Sequence, residues 1–289
     1  MKRRRFIQRS IAASTLMPTG LWALNSPTKA LPLTPLKNNI NHSACRWCYN
    51  NLSLEELLPA FKAMGIMAID LIGPDEWPIL KKHGIHCSMC NGAELNLIDG
   101  WNDPNFHEQL IANYRRVIPL VAEAGYTNLI CFSGNRRGMS DGEGLVNCVN
   151  GLKQILPLAE QHGVIIQMEL FNSKVDHPDY MCDNTAWGIQ LCQLLDSDNF
   201  KLLYDIYHMQ ISEGDIIRTI RDHHQYFGHY HTAGVPGRNE INDSQELYYP
   251  AIMQAIVDTG FKGYVAQEFI PTRENRLESL KEAIQICDV

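Results

Sequence analysis

The chain has 289 residues, 45% hydrophobic and 20% charged, with a formal net charge of −7. Those proportions belong to a globular protein with a sizeable core and argue against a disordered or fibrous chain. Residues 1–30 hold six Lys/Arg and no Asp/Glu, so the rest carries −13; that excess argues against nucleic acid as a substrate, because binding phosphate backbones needs a basic surface.

The first element is a leader over residues 1–30. A basic start, Lys2–Gln8, is followed by a modest apolar stretch, Ile11–Leu24, and by Thr28-Lys29-Ala30, a small-x-small cleavage site. Arg3-Arg4-Arg5-Phe6-Ile7-Gln8 fits the twin-arginine export pattern, R-R-x-F-hydrophobic-x. The sequence therefore predicts export of the folded protein, to the periplasm; a basic disordered tail is the plain alternative. Pro18 and Gly20 interrupt the apolar stretch, which is too short to span a bilayer, so no stable membrane insertion is expected. Residues 31–41, opening Leu31-Pro32-Leu33-Thr34-Pro35, read as a linker.

Residues 42–289 read as eight strand-helix units in one domain. Strand 1 is expected near Ser43–Trp47, and a helix opens at Ser53, where Glu56 completes a capping box. Strand 2 (Ala68–Ile72), a short helix (Pro74–His83) and strand 3 (Ile85–Met89) follow. Next come an amphipathic helix, Asn105–Ala124, stopped by Gly125, then strand 4 (Asn128–Phe132) and a helix, Gly142–His162, stopped by Gly163. Strands 5 to 8 are Val164–Met168, Lys201–Tyr204, Tyr226–Tyr230 and Gly263–Gln267, with helices near Asn184–Leu195, Gly214–His224, Pro250–Thr259 and Leu277–Cys287. Regular alternation, with no G-x-G-x-x-G after strand 1, predicts a single-domain (β/α)8 TIM barrel rather than a dinucleotide-binding sheet.

Each of the last four strands is closed by a metal-ligating residue type: Glu169, Asp205, His231 and Glu268. Any one of them alone would read as a surface residue or a helix N-terminal charge. Their repetition in successive units is the signal, because consecutive parallel strands lie side by side and barrel sites form at strand C-termini. Three carboxylates and one imidazole make an oxygen-rich site for one divalent cation, Mn²⁺ or Mg²⁺ first, with Co²⁺ and Zn²⁺ as further candidates. Around them lie His208, Arg238, Lys174, Asp176, His177, Trp47, Asn91 and Glu94. His83, His162, His223 and His224 fall at helix ends, where the helix dipole accounts for them. Nine cysteines include two C-x-x-C pairs, Cys45/Cys48 and Cys87/Cys90. Both pairs lie at predicted strand ends, where residues i and i+3 face opposite sides, so they are read as small buried hydrophobes rather than zinc ligands.

The run Ala233-Gly234-Val235-Pro236-Gly237-Arg238-Asn239-Glu240, then Glu246-Leu247-Tyr248-Tyr249-Pro250, resembles the hydroxypyruvate isomerase family. So does Tyr204-Asp205-Ile206-Tyr207-His208-Met209. The wider group is the xylose isomerase-like barrels, which include ketose 3-epimerases; the likeness covers about residues 42–285. It implies that Glu169, Asp205, His231 and Glu268 bind one divalent metal. It also implies that Glu169 and Glu268 exchange protons with substrate, and that His208 and Arg238 contact substrate oxygens. This chain has His231 where hydroxypyruvate isomerases carry Gln and the epimerases carry His, which turns the expectation away from hydroxypyruvate itself.

The expected activity is isomerisation or epimerisation of a small keto sugar or keto acid through an enediolate. A cation on the carbonyl oxygen makes the neighbouring proton acidic, and a carboxylate within hydrogen-bond reach removes it. Elimination of the aglycone from a keto-glycoside, metal-dependent phosphodiester hydrolysis and non-catalytic sugar binding are the alternatives. The substrate is a small molecule; a homo-oligomer is compatible with the sequence.

Overall fold

A computed structural model of the protein describes residues 35–289; the leader and the first four residues of the linker, 31–34, lie outside the described residues. Eight strands run in chain order: β1 (Asn41–Ala44), β2 (Ala68–Ile72), β3 (His86–Cys90), β4 (Asn128–Cys131), β5 (Ile165–Glu169), β6 (Phe200–Asp205), β7 (Phe227–Thr232) and β8 (Tyr264–Gln267). They form one parallel sheet in the order β1-β8-β7-β6-β5-β4-β3-β2. A parallel bridge from Cys45 to Asp70 joins the end of β1 to β2, so the sheet curls into a nearly closed barrel. The helices between strands are α1 (Leu54–Ala63), α2 (Trp77–His83), α3 (His107–Ala124), α4 (Asp141–Leu152), α5 (Leu156–His162), α6 (Thr185–Leu195), α7 (Ile206–Ser212), α8 (Ile216–His223), α9 (Tyr249–Asp258) and α10 (Arg276–Cys287). The expected TIM barrel is the observed fold.

The local signals act as their chemistry requires. Ser53 and Glu56 form the reciprocal capping box of α1. Gly125 and Gly163 end α3 and α5 with φ of 83° and 65°, a left-handed conformation that a residue with a Cβ adopts only at a cost. Along α3, Leu110, Ile111, Tyr114, Val117, Ile118 and Val121 are buried, one helical stripe laid on the sheet. Each such large apolar side chain removed from water contributes about 1.5–3 kcal/mol before entropy is counted.

Four expectations need correction. Strand 1 ends at Ala44, and Trp47 sits in the following 3-10 turn, Arg46–Tyr49. The helix expected over 142–162 is two helices, α4 and α5, because Pro157 near the start of α5 has no N–H to continue the ladder. No helix is expected from the sequence between strand 6 and Gly214, yet α7 follows β6 directly and carries His208. Cys87 and Cys90 do not face opposite sides. Their sulfurs are 3.4 Å apart. The β2/β3 register slips, pairing Ile69 with Cys87 and Asp70 with Met89. Ser88 is thus an extra residue that changes the parity of the strand. All nine cysteines are buried and unpaired by disulfides.

Candidate metal centre and active site

Glu169 and Asp205 are the last residues of β5 and β6, His231 is the next-to-last of β7, and Glu268 directly follows β8. Parallel pairing brings Asp205 opposite His231 and His231 opposite Ala266, so the four side chains share one rim. His231 is at the centre. Its Nδ1 lies 2.9 Å from Glu268 Oε2, 3.1 Å from Glu169 Oε1 and 4.0 Å from Asp205 Oδ2. One ligand atom from each of the four lies within 4.8 Å of all the others, and all four residues are buried.

Two observations fit this set to a cation. Buried carboxylate oxygens ordinarily have hydrogen-bond partners, yet Asp205 Oδ2 has none. Three carboxylates also share a desolvated space, which is costly unless positive charge offsets them. Protein groups supply part of that charge. Arg238 places Nη2 2.5 Å from Glu268 Oε2 and 3.7 Å from Asp205 Oδ2.

Protonation divides the carboxyls. Burial pushes Glu169 up to about 7, against the opposing pull of His231. Burial, reinforced by the charge of Glu268, pushes Asp205 up to about 8. Glu268 goes the other way: burial would raise it, but Arg238 and His231 outweigh that and hold it well below the usual carboxylate range. Burial would lower His231, and the charge of Glu268 and the hydrogen bond to Asp70 raise it instead.

The flanking residues form the walls. Arg238 stands at φ 58°, a strained value for a non-glycine residue, in a loop tied by Gly234 N–H to Asn239 O at 2.9 Å. Glu240 anchors that loop by accepting from Thr272 N at 2.8 Å and Ser279 Oγ at 2.7 Å. The guanidinium lies over the rings of Trp47 and Tyr207, 5.2 and 5.5 Å from their centroids. Trp47 Nε1–H also donates to Glu268 Oε1 at 2.9 Å.

Asp205 also shapes the chain that follows it, because its Oδ1 accepts from His208 N–H at 3.1 Å and caps α7. The cap turns the His208 ring into the site. Asn172 Nδ2 donates to His208 Nδ1 at 2.6 Å, which leaves the ring proton on Nε2. Nε2 is buried, lacks a partner and lies 3.7 Å from Asp205 Oδ2. Burial, then Arg238, keeps His208 neutral well below the ordinary histidine range, so Nε2–H is a neutral donor available to a substrate oxygen.

The structure therefore brings Glu169, Asp205, His231, Glu268, Arg238, His208 and Trp47 together. His177 stacks on Phe171 at 4.3 Å and meets the His208 ring edge-on at 5.2 Å, forming an outer wall. Asp176 supports from outside, accepting from Asn172 and from Tyr207 at 3.0 Å. Lys174 instead reaches Ser212 O at 2.8 Å on the surface, and Glu94 folds back onto the backbone N–H groups of Gly92 and Ala93. Asn172, Tyr207 and Asp70 are the site residues that the sequence did not single out. Asp70 carried a signal: a carboxylate inside the apolar run Ala68-Ile69-Asp70-Leu71-Ile72 needs a buried partner.

A model of the family described as xylose isomerase-like TIM barrel matches residues 78–288. A 2-oxo-tetronate isomerase of Pectobacterium atrosepticum is 31% identical over 228 residues, covering 74% of this chain and 86% of the relative. A human protein named "Putative hydroxypyruvate isomerase" is 30% identical over 132 residues, covering 46% of this chain and 47% of the relative. The chain spans about half the length of the vertebrate relatives it matches. Among solved structures, an AP endonuclease of family 2 from Brucella melitensis superposes with a TM-score of 0.74 at 19% identity, over 82% of this chain and 96% of that one. D-Psicose 3-epimerase with D-tagatose from Clostridium cellulolyticum H10 superposes with a TM-score of 0.71 at 16% identity, over 86% and 98%. At those identities the likeness is one of fold.

Proposed function

Because the chain belongs to the xylose isomerase-like TIM barrel family, we propose that it is a metal-dependent isomerase or epimerase of a small keto acid or keto sugar. The reaction passes through an enediolate by proton transfer. The carrying observation is the convergence of Glu169, Asp205, His231 and Glu268 within 4.8 Å, on four successive strand ends. The names of the relatives support a keto-acid or ketose substrate, and the fold is shared with a ketose epimerase. The hard donor set favours Mn²⁺ or Mg²⁺, with Co²⁺ and Zn²⁺ next.

Glu169, Asp205, His231 and Glu268 would hold the cation. It would polarise the carbonyl and adjacent hydroxyl of the substrate and lower the pKa of the carboxylates around it. The remaining chemistry belongs to the chain. Glu268 is ionised by its contacts with Arg238 and His231, while Glu169 retains a proton up to about 7. That difference belongs to the metal-free site: a cation held by both residues would displace the Glu169 proton, leaving two carboxylates, either able to remove a proton next to the carbonyl and, once protonated, to return it. His208 Nε2–H and the Arg238 guanidinium donate to substrate oxygens and fix its orientation. The rings of Trp47 and Tyr207, 5.2 and 5.5 Å from that guanidinium, support it by cation–π contact.

The test is Glu169→Gln and Glu268→Gln, assayed at saturating Mn²⁺ on a panel of keto acids, ketoses and 3-keto-glycosides. Each loss of a general acid or base should cost about 10²–10⁴-fold in kcat. Wild-type reaction in D₂O should place solvent deuterium on the carbon next to the carbonyl in a product of unchanged composition. Near wild-type turnover in both variants, or turnover without deuterium, would refute the proton-transfer assignment; a released aglycone would make the enzyme a lyase.

A further inference from the structure

Asp70 is fully buried in the middle of β2, and it meets β7 directly although β1 and β8 separate the two strands in the sheet. Its contact with His231 therefore crosses the barrel interior, directly beneath the candidate metal centre. Oδ2 lies 2.8 Å from His231 Nε2 and 3.2 Å from His229 Nε2. Oδ1 accepts from Ser88 Oγ at 2.6 Å. Cys45 Sγ is 3.7 Å from Oδ2. An ionised carboxylate only accepts hydrogen bonds, so both imidazoles must present N–H to it. That network offsets a burial that would otherwise cost several kcal/mol.

We propose that Asp70 is a positioning residue for the metal centre: by accepting the Nε2 proton of His231 it commits Nδ1 to the cluster of Glu169, Asp205 and Glu268. This rests on the metal reading given above. A neutral imidazole carries one proton on either nitrogen, and only the bare nitrogen can ligate. The three carboxylates at the rim are themselves acceptors and draw that proton to Nδ1, the nitrogen facing them at 2.9–4.0 Å. Asp70 opposes that pull from the other side of the ring. It also fixes the ring plane, since His229 shares the same oxygen and stands at 84° to His231.

The local backbone is shaped to deliver Asp70. Leu71 adopts φ 56°, and the β2/β3 register slips on both sides of Asp70. Such irregularities next to a site re-aim a side chain. His231 is likewise re-phased: Gly228 is the extra residue where Leu202 pairs with Phe227 but Leu203 pairs with His229. A carboxylate behind a metal-binding histidine typically accounts for about 10–100-fold in metal affinity.

The experiment uses the full chain and Zn²⁺, a diamagnetic probe. Zn²⁺ titration calorimetry is run on wild type, Asp70→Asn and Asp70→Ala, with denaturant unfolding in parallel. Asp70→Asn, close to isosteric, should retain one site per chain and bind Zn²⁺ about 10–100-fold more weakly; Asp70→Ala should weaken it at least as much. Long-range ¹H–¹⁵N spectra of Zn²⁺-loaded wild type should show the His231 proton on Nε2 and the metal-shifted signal on Nδ1. In Asp70→Ala the Nε2 proton should lose its protection from exchange. Unchanged affinity in the Asn variant, even with reduced stability, would make Asp70 merely structural and overturn the proposal. A second Zn²⁺ per wild-type chain, lost in the variants, would overturn it too, by making Cys45, Asp70 and His231 a metal site of their own. If wild type binds no divalent cation, the reading beneath it fails instead, and that result is distinct from both.

Discussion

Protons and the cation compete for the same oxygens at the barrel rim, which makes metal affinity steeply pH-dependent. Glu169 must lose a proton held to about 7, and Asp205 one held to about 8, before both can ligate. Above pH 8 neither imposes much cost. Below its own value each group costs a factor of ten per pH unit, Asp205 from about 8 and Glu169 from about 7. Between pH 8 and pH 6 the two together should weaken Mn²⁺ binding by about 500-fold, or about 3.7 kcal/mol. His231, raised by Glu268 and Asp70 against the effect of burial, releases a proton in the same direction and steepens the slope. Titration calorimetry with Mn²⁺ in two buffers of different ionisation enthalpy counts the protons released. Close to two or more should leave at pH 6 and fewer at pH 8. The metal-free protein follows the opposite course. Raised carboxyl pKa values mean that the folded state keeps protons the unfolded chain has lost. The stability these two groups contribute is complete below their ordinary values of 4.5 and 3.8, and it is lost as pH rises through about 7 and 8. Saturating Mn²⁺ should remove that decline. Affinity that varies less than tenfold over pH 6–8 with no proton release would refute the assignment of these carboxyls as ligands.

Arg238→Ala should move the acid limb of the kcat/KM profile upward, because Arg238 is the largest influence holding Glu268 ionised against burial; Arg238→Lys should restore part of that shift but less of KM, since the stacked, planar fork is lost. An unmoved acid limb would separate Arg238 from Glu268. The leader carries a separate prediction, that residues 1–30 direct twin-arginine export: Arg3→Lys with Arg4→Lys should leave an uncleaved precursor in the cytoplasm, and unchanged export and cleavage would refute it.

Why the rim was legible and the layer below it was not follows from how barrels encode position. Glu169, Asp205, His231 and Glu268 each close an apolar run, and β-α alternation sends every strand end to one rim, so spacing alone groups them. The helix after β6 was hidden because Asp205 reads as a ligand, while its other oxygen caps α7 and thereby turns His208 inward. The parity of Cys87 and Cys90 depends on a bulge at Ser88, and a bulge is a property of two strands in register rather than of either sequence. Asp70 is the sharpest case. Its partner His231 is 161 residues away and three strands around the barrel, so no periodicity links them. Yet a strand covered on both faces has no solvent side on which to tolerate a carboxylate. The sequence thus required a partner for Asp70 without indicating which one. Closure of the barrel supplied it, by bringing β2 back against the interior face of β7, where the imidazole that faces the rim carboxylates has its second nitrogen.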